Sequence, residues 1–335
     1  MIEIRHEESL YYRNTFGIHA TASVFVESDN VAELADYIVS LSNPSSVLLL
    51  GGGSNVLFVS QRCDVVICPV MKEIELIDET SEFVIVRTGA GVSWDDFVCW
   101  CVEHNYAGVE NLSYIPGNVG ACPIQNIGAY GAEVKEVIEK VEAVEMATGK
   151  KIEFSNQQCQ FGYRDSFFKN NKGKYLITYV QFRLSKKFEP NLTYSDLKVE
   201  LSRNIPITIE NLRQAVISIR KRKLPDPNDL GNAGSFFKNP LISIEKFNEL
   251  RMLDPYLRMY PVSEELCKIS AAWLIQQCRW KGMRDGNVGV HEQQPLVIVN
   301  HGGVTGKDVI NFARRIINSV QYKFGIELEP EVNIV

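Results

Sequence analysis

The sequence predicts an α+β protein, rich in strands through its first two-thirds and mixing helices with a strand in its final third. Three observations predict it. Residues 47–50 and 56–59 are short apolar runs separated by Gly51, Gly52, Gly53, Ser54 and Asn55, the order strand, glycine turn, strand. Residues 141–146, 147–150 and 151–154 read as the strand, turn and strand of a β-hairpin, and 175–184 as another long strand. Residues 307–324 put Val309, Phe312, Ala313, Ile316, Ile317 and Val320 on one helical face. Strands and helices do not alternate cleanly enough for a βαβ repeat.

The remaining elements follow in chain order. A helix is expected near 30–40 and strands over 64–70 and 83–88. Ser93 with Asp96 resembles a capping signal for a helix with Trp94, Phe97, Val98, Cys101 and Val102 on its apolar side. Leu212, Ala215, Val216 and Ile219 recur at helical spacing. Arg220, Lys221, Arg222 and Lys223 then stand before Pro225 and Pro227, which end that helix. The same prolines mark a domain boundary near residue 223. Beyond it, a helix is expected over about 264–278 and a strand at Leu296. Thr305 with Asp308 opens the last helix and Gly325 closes it.

Composition narrows the function. A chain of 335 residues, 45% hydrophobic, is long enough for two or three domains. Its longest apolar runs are strand-sized, and residues 1–8 carry charges of both signs with no apolar signal region, so a cytoplasmic location without membrane insertion is expected. Cys63, Cys68, Cys99, Cys101, Cys122, Cys159, Cys267 and Cys278 form no CxxC pair and read as reduced core thiols. The five histidines are scattered and no metal site is expected. A net charge of −6 argues against a nucleic-acid binder.

Two segments carry chemistry. At Gly51, Gly52 and Gly53 the backbone is free to adopt positive φ and converge its N–H groups, the geometry that cradles a phosphate. A Walker loop would need Gly-Lys-Ser/Thr, and a Rossmann fingerprint would open a helix. Here Val56, Leu57 and Phe58 follow instead. The same residues equally suit a tight hairpin that binds nothing. The second segment, LSYIPGNVGACPIQNIGAYG over 112–131, is dense in glycine and small residues yet contains Ile115, Ile124 and Ile127. Buried irregular backbone of this kind needs partners for its N–H and C=O groups, and a flat heteroaromatic ring supplies them. The basic run 220–223 reads mainly as a solvated helix end, with one or two side chains available to a diphosphate.

GGGSNVLF, IPGNVGACPIQNIGAYG, FGYRDSFFK, LTYSDL, KLPDP, GNAGSFFKNP, HEQQPLV and LEPEV occur in that order. Together they closely resemble the UDP-N-acetylenolpyruvoylglucosamine reductase family over nearly the whole chain. The resemblance implies the α+β FAD-binding fold of the vanillyl-alcohol oxidase type, two subdomains over 1–70 and 71–222. A substrate domain over 223–322 and a C-terminal segment over 323–335 would follow. It implies non-covalent FAD held by Gly51, Gly52, Gly53, Ser54, Asn55, Leu57, Pro116, Gly117, Gly120, Ala121, Cys122, Ile124, Asn126, Ile127 and Arg220. NADPH would be the co-substrate, the sugar nucleotide the only partner and the protein a monomer. Ser235 matches the family's proton donor, with Arg164 and Glu331 stabilising the intermediate. Tyr130, Tyr194, Lys223, Asn239 and Gln294 match its substrate contacts. Tyr194 also implies the subgroup whose mobile loop carries a tyrosine over the diphosphate. Where the family often carries serine or glycine and alanine after GxVG, this chain has Ala121 and Cys122; Cys122 reads as a small tolerated neighbour of FAD, and the departure removes the basis for a side-chain hydrogen bond there.

Overall fold

The computed structural model describes residues 1–202 and 206–335 and divides into two compact units. The first comprises Met1–Ser9, Thr21–Gly53 and Arg62–Arg222; the second comprises Leu10–Ala20, Ser54–Gln61 and Lys223–Val335. The chain thus changes unit at residue 223, where the prolines stand, but residues 10–20 and 54–61 of the N-terminal stretch belong with the C-terminal unit.

Among its described residues the first unit has two larger sheets besides the short pair Gly128–Ala129 and Ala132–Glu133. Glu3–Ser9, Thr21–Ser28, Arg62–Pro69 and Val47–Leu49 lie in that order, with the last three parallel. Helix Val31–Ser40, capped by Asn30 on the N–H groups of Ala32 and Glu33, buries Leu34 and Ile38 in a core with Val26 and Ile67. Lys151–Ser155, Ile138–Glu145, Tyr175–Ser185, Phe83–Gly89 and Ile74–Glu79 make an antiparallel sheet that contains the expected hairpin. Against it packs helix Trp94–Glu103, burying Trp94, Phe97, Val98, Cys101 and Val102. The Phe97 and Phe182 rings lie 4.5 Å apart. The expected Ser93 cap does not form: its side chain makes no cap bond. Its backbone is instead held extended in a bridge to Asn118.

In the second unit, Gly231–Ser235, Val297–Asn300, Val288–Val290 and Arg284–Asp285 form an antiparallel sheet. Helix Gly306–Phe324 has the full Thr305/Asp308 capping box and ends at Gly325 with φ 68°. The helix expected over 264–278 is a correction. Leu266–Ile269 is a strand between Leu241–Ser243 and Met259–Pro261, and only Ala271–Gln277 is helical. Ser270 caps that helix on the Trp273 N–H and so begins it later, while Cys267 and Ile269 alternate inward with period two.

The bare-hairpin reading of the glycine turn is also excluded. Val47–Leu49 pairs with Arg62–Pro69 in the first unit, whereas Val56–Leu57 pairs in parallel with Asn333–Ile334 in the second. The two strands flanking the glycines therefore never pair with each other. Among the described residues no helix is long and apolar enough to cross a membrane.

Candidate active site

Within the first unit the two glycine-rich segments meet. A Cβ at Gly52 would lie 2.8 Å from Asn118 Oδ1 and 3.1 Å from Gly117 Cα, and one at Gly51 would lie 3.8 Å from the Ala121 Cβ. Gly53 and Gly117 take positive φ, 63° and 117°. Among the described residues, the N–H groups of Gly51, Gly52 and Gly53 donate to no protein acceptor. Three consecutive free donors on side-chain-free backbone fit a diphosphate, as FAD presents. The second segment is anchored from behind. Val119 N–H donates to Val92 (2.9 Å), Gly120 N–H to Ala90 (3.0 Å) and Trp94 N–H to Gly117 (2.9 Å). Gly120 is needed there because a Cβ would come 2.6 Å from Ala90 Cβ.

The rest of that segment divides its residues between bracing and display. Cys122 sits in the hydrophobic core, where burial pushes its thiol well above the ordinary value, so it is inert. Ile124 and Ile127 pack on the same core, and the Ile124 carbonyl accepts from Ser166 Oγ. Pro116 is exposed. Asn126, fully buried with φ 45°, donates through Nδ2 to Glu133 and to the Gly162 carbonyl, each 2.9 Å, and accepts from Lys135 N–H at 3.0 Å. Its side chain is thus a brace for the turn that carries Arg164. Burial would raise the Glu133 carboxyl, but Lys135 and Asn126 outweigh it and hold it below the usual carboxylate value.

Arg164, at φ 53°, donates through Nη2 to the Gly128 carbonyl at 2.7 Å, and its own carbonyl accepts from Lys169 Nζ at 2.6 Å. Tyr114, Asn126, Tyr130 and Arg164 all have positive φ without being glycine, a concentration of backbone strain in one region. Tyr130 and Tyr194 meet edge to face with ring centroids 5.2 Å apart. Asn111 holds this arrangement, donating to the Tyr130 carbonyl at 2.9 Å and the Asn191 carbonyl at 3.0 Å. Arg220 donates to the Tyr114 carbonyl at 2.9 Å and faces Tyr130; burial pulls its pKa down and Tyr130 opposes that shift. Of the basic run, Lys221 lies 5.3 Å over the Tyr114 ring and Arg222 pairs with Glu200 at 3.2 Å.

The second unit brings Ser235 and Glu331 onto neighbouring backbone. Ser235 ends the strand Gly231–Ser235; the next residue, Phe236, accepts from Glu331 N–H at 2.7 Å, and Lys238 N–H donates to Glu329 at 2.9 Å. Phe236 and Phe237, each 1% exposed, wall this corner with rings 5.1 Å apart. Asn55, at the end of the glycine turn, donates to the Glu331 carbonyl at 3.3 Å and accepts from Asn333 N–H at 3.1 Å. Ser54 and fully buried Leu57 lie in the same unit. Gln294 is in the turn before Val297–Asn300, its N–H on His291 Nδ1 at 3.3 Å. Asn239 Oδ1 accepts from Ala271 N–H at 3.0 Å. Lys223 opens the unit's main segment and is half-buried.

Sequence reasoning missed the supports: Gly89, Ala90 and Gly91 behind the second glycine segment, Asn111 beneath Tyr130, and Asn232 beside Ser235. The tripeptide at 89–91, following a strand, was a readable glycine signal; the two asparagines carried none. Among the described residues no cluster of His, Cys, Asp and Glu could hold a metal.

Both glycine-rich and C-terminal parts of the chain are matched by known proteins. Residues 22–155 match the family model described as FAD binding domain, and residues 226–335 match UDP-N-acetylenolpyruvoylglucosamine reductase, C-terminal domain. The curated UDP-N-acetylenolpyruvoylglucosamine reductase of Bacteroides fragilis is 44% identical over 98% of both chains. That of Flavobacterium johnsoniae is 42% identical over 100% of both. The crystal structure of the Thermus caldophilus enzyme shares the fold, with TM-score 0.70 and 22% identity over 100% of this chain and 98% of that one. The chain is an FAD-dependent oxidoreductase with the α+β flavin-binding fold expected from its sequence. It belongs to the UDP-N-acetylenolpyruvoylglucosamine reductase family.

Proposed function

We propose that the chain reduces UDP-N-acetylglucosamine enolpyruvate to UDP-N-acetylmuramate with NADPH, in cytoplasmic peptidoglycan precursor synthesis. What supports this most, beyond family membership, is the seating of the Glu331 backbone beside that of Ser235, next to the buried Phe236 and Phe237. FAD, when bound, supplies the hydride, taken from NADPH and passed to the enolpyruvyl methylene carbon. The Gly51, Gly52 and Gly53 N–H groups would hold its diphosphate, with residues 116–127 and Arg220 holding the rest.

Hydride addition leaves carbanion character beside the substrate carboxylate. Arg164 offsets that charge, Glu331 shares in stabilising it, and the Ser235 hydroxyl delivers the proton to the carbon. A serine hydroxyl is a weak acid, so the transfer needs a strongly basic carbanion and a donor fixed in line. Tyr130, Tyr194 and Lys223 bind the diphosphate end, while Asn239, whose oxygen already accepts from Ala271, offers its Nδ2, and Gln294 its amide.

Stopped-flow measurement of the two half-reactions tests the reading. Ser235→Ala should leave flavin reduction by NADPH nearly intact and slow reoxidation by the enolpyruvyl substrate by at least ~10²-fold. Equal slowing of both halves would point to a damaged fold or flavin site, and unchanged reoxidation would remove Ser235 from the chemistry. Lys223→Ala should raise the Kd for the UDP-sugar, and an unchanged value would take Lys223 out of the binding site.

A further inference from the structure

Ser235 owes its direction to an irregularity in its own strand. Gly231 pairs with Asn300 and Asn232 with Val299, but the next pair is Ser235 with Val297. Two residues, Ala233 and Gly234, therefore stand opposite one, Ile298, which is a β-bulge. Directly opposed residues share a face, and Val299 and Val297 are two apart. The bulge thus puts Ser235 on the same face as Asn232; in a regular strand, three residues on, it would point to the other. Gly234, at φ 70°, supplies the left-handed residue, and the bulge withdraws its N–H from the ladder.

The Asn232 side chain, 3% exposed, replaces that lost bond: Oδ1 accepts from Gly234 N–H at 2.9 Å. Its Nδ2 donates to the Leu230 carbonyl at 2.8 Å and the Pro225 carbonyl at 3.4 Å. The Asn232 backbone is clamped as well, its carbonyl accepting from Thr15 Oγ1 at 2.7 Å and its N–H donating to the Thr15 carbonyl at 3.0 Å. We propose that Asn232 is a positioning residue for proton transfer, holding the bulge that sets which face of the sheet Ser235 presents. This rests on the assignment of Ser235 as the proton donor.

The test uses flavin-loaded enzyme and the variants Asn232→Leu, Gly234→Ala, Ser235→Ala and Asn232→Leu/Ser235→Ala. Asn232→Leu should keep NADPH reduction within about twofold and slow reoxidation by about 10-fold or more, the low end for an impaired acid. Amide hydrogen exchange over 231–236 should rise in the same variant. The double variant should be no slower than Ser235→Ala alone, since Asn232 acts only through the serine. Gly234→Ala, which strains the bulge from its other side and meets no neighbour within 4 Å, should reproduce the selective slowing if Asn232→Leu does not fold. Additive losses in the double variant, or unchanged reoxidation in both folded single variants, would overturn the proposal. Unchanged reoxidation in Ser235→Ala would instead overturn the assignment of Ser235.

Discussion

Gly52 shows how much one residue type decides. It is chemically silent, yet its missing Cβ lets the first glycine segment lie against Gly117 and Asn118. The Asn118 contact is with the end of a side chain, which can rotate, but the Gly117 contact is with backbone. Gly52→Ala should therefore cost about 1–3 kcal/mol, as overpacking does, and lower the flavin retained per polypeptide. Urea unfolding and the absorbance of the purified protein measure both; an unchanged midpoint with full flavin content would refute the close approach. The proposed roles of Arg164 and Glu331 were not legible as residue types, whereas Ser235 stood out more, set between small residues and two phenylalanines. A lone arginine is usually an ion-pair partner and a glutamate near a C-terminus is usually solvated, and only their place in the family motifs singled them out. Asn126 was legible as part of the second glycine-rich segment, but its side-chain bonds all turn inward to Glu133, Gly162 and Lys135.

Elements are held to one another by polar bonds that the apolar pattern does not reveal. Helix Ile209–Lys223 is tied to helix Trp94–Glu103 by Arg213, which donates to both Asp95 oxygens at 2.7 and 3.0 Å, while Asp95 also accepts from Tyr114 N–H. Burial would raise the Asp95 carboxyl, but the Arg213 bonds and the Tyr114 N–H outweigh it and its pKa is lowered. A depressed carboxyl stabilises the fold fully above its unfolded pKa, near 3.9, and that contribution is lost as pH falls through the lower folded value. Arg213→Met should accordingly destabilise the protein by about 1–3 kcal/mol at neutral pH and flatten the stability curve below about pH 4. Denaturant midpoints across pH 2–7 check this, and a parallel shift of the whole curve would sink it. The last helix was legible to within one residue, expected over 307–324 and found at Gly306–Phe324, because its capping box and terminal glycine are local chemistry. Leu266–Ile269 was not, since a four-residue stretch with apolar Leu266, Cys267 and Ile269 beside a helical run satisfies either period until its neighbouring strands are known.

At the scale of the whole molecule, the expected monomer predicts a single species of 37.8 kDa in sedimentation velocity, with and without the UDP-sugar. A species of twice that mass at micromolar concentration would refute it. What the sequence by itself determined is what depends on local chemistry: the capping box and terminal glycine of the last helix, the amphipathic faces, the two glycine segments, the proline stop at 223–227 and, through eight ordered motifs, the family. Tertiary structure decided what depends on pairing between distant segments. Nothing local says that the strand after the glycine turn takes Asn333–Ile334 as its partner, or that this pairing, with the bond from Glu331 to Phe236, seats the C-terminal segment beside Ser235. Hydrogen bonds between strands are identical whichever residues they join, so a short strand advertises its type but not its neighbour. The glycine turn is the clearest case: its sequence fitted a hairpin and a cradle equally, and the pairing of its two flanking strands with different sheets excluded the hairpin.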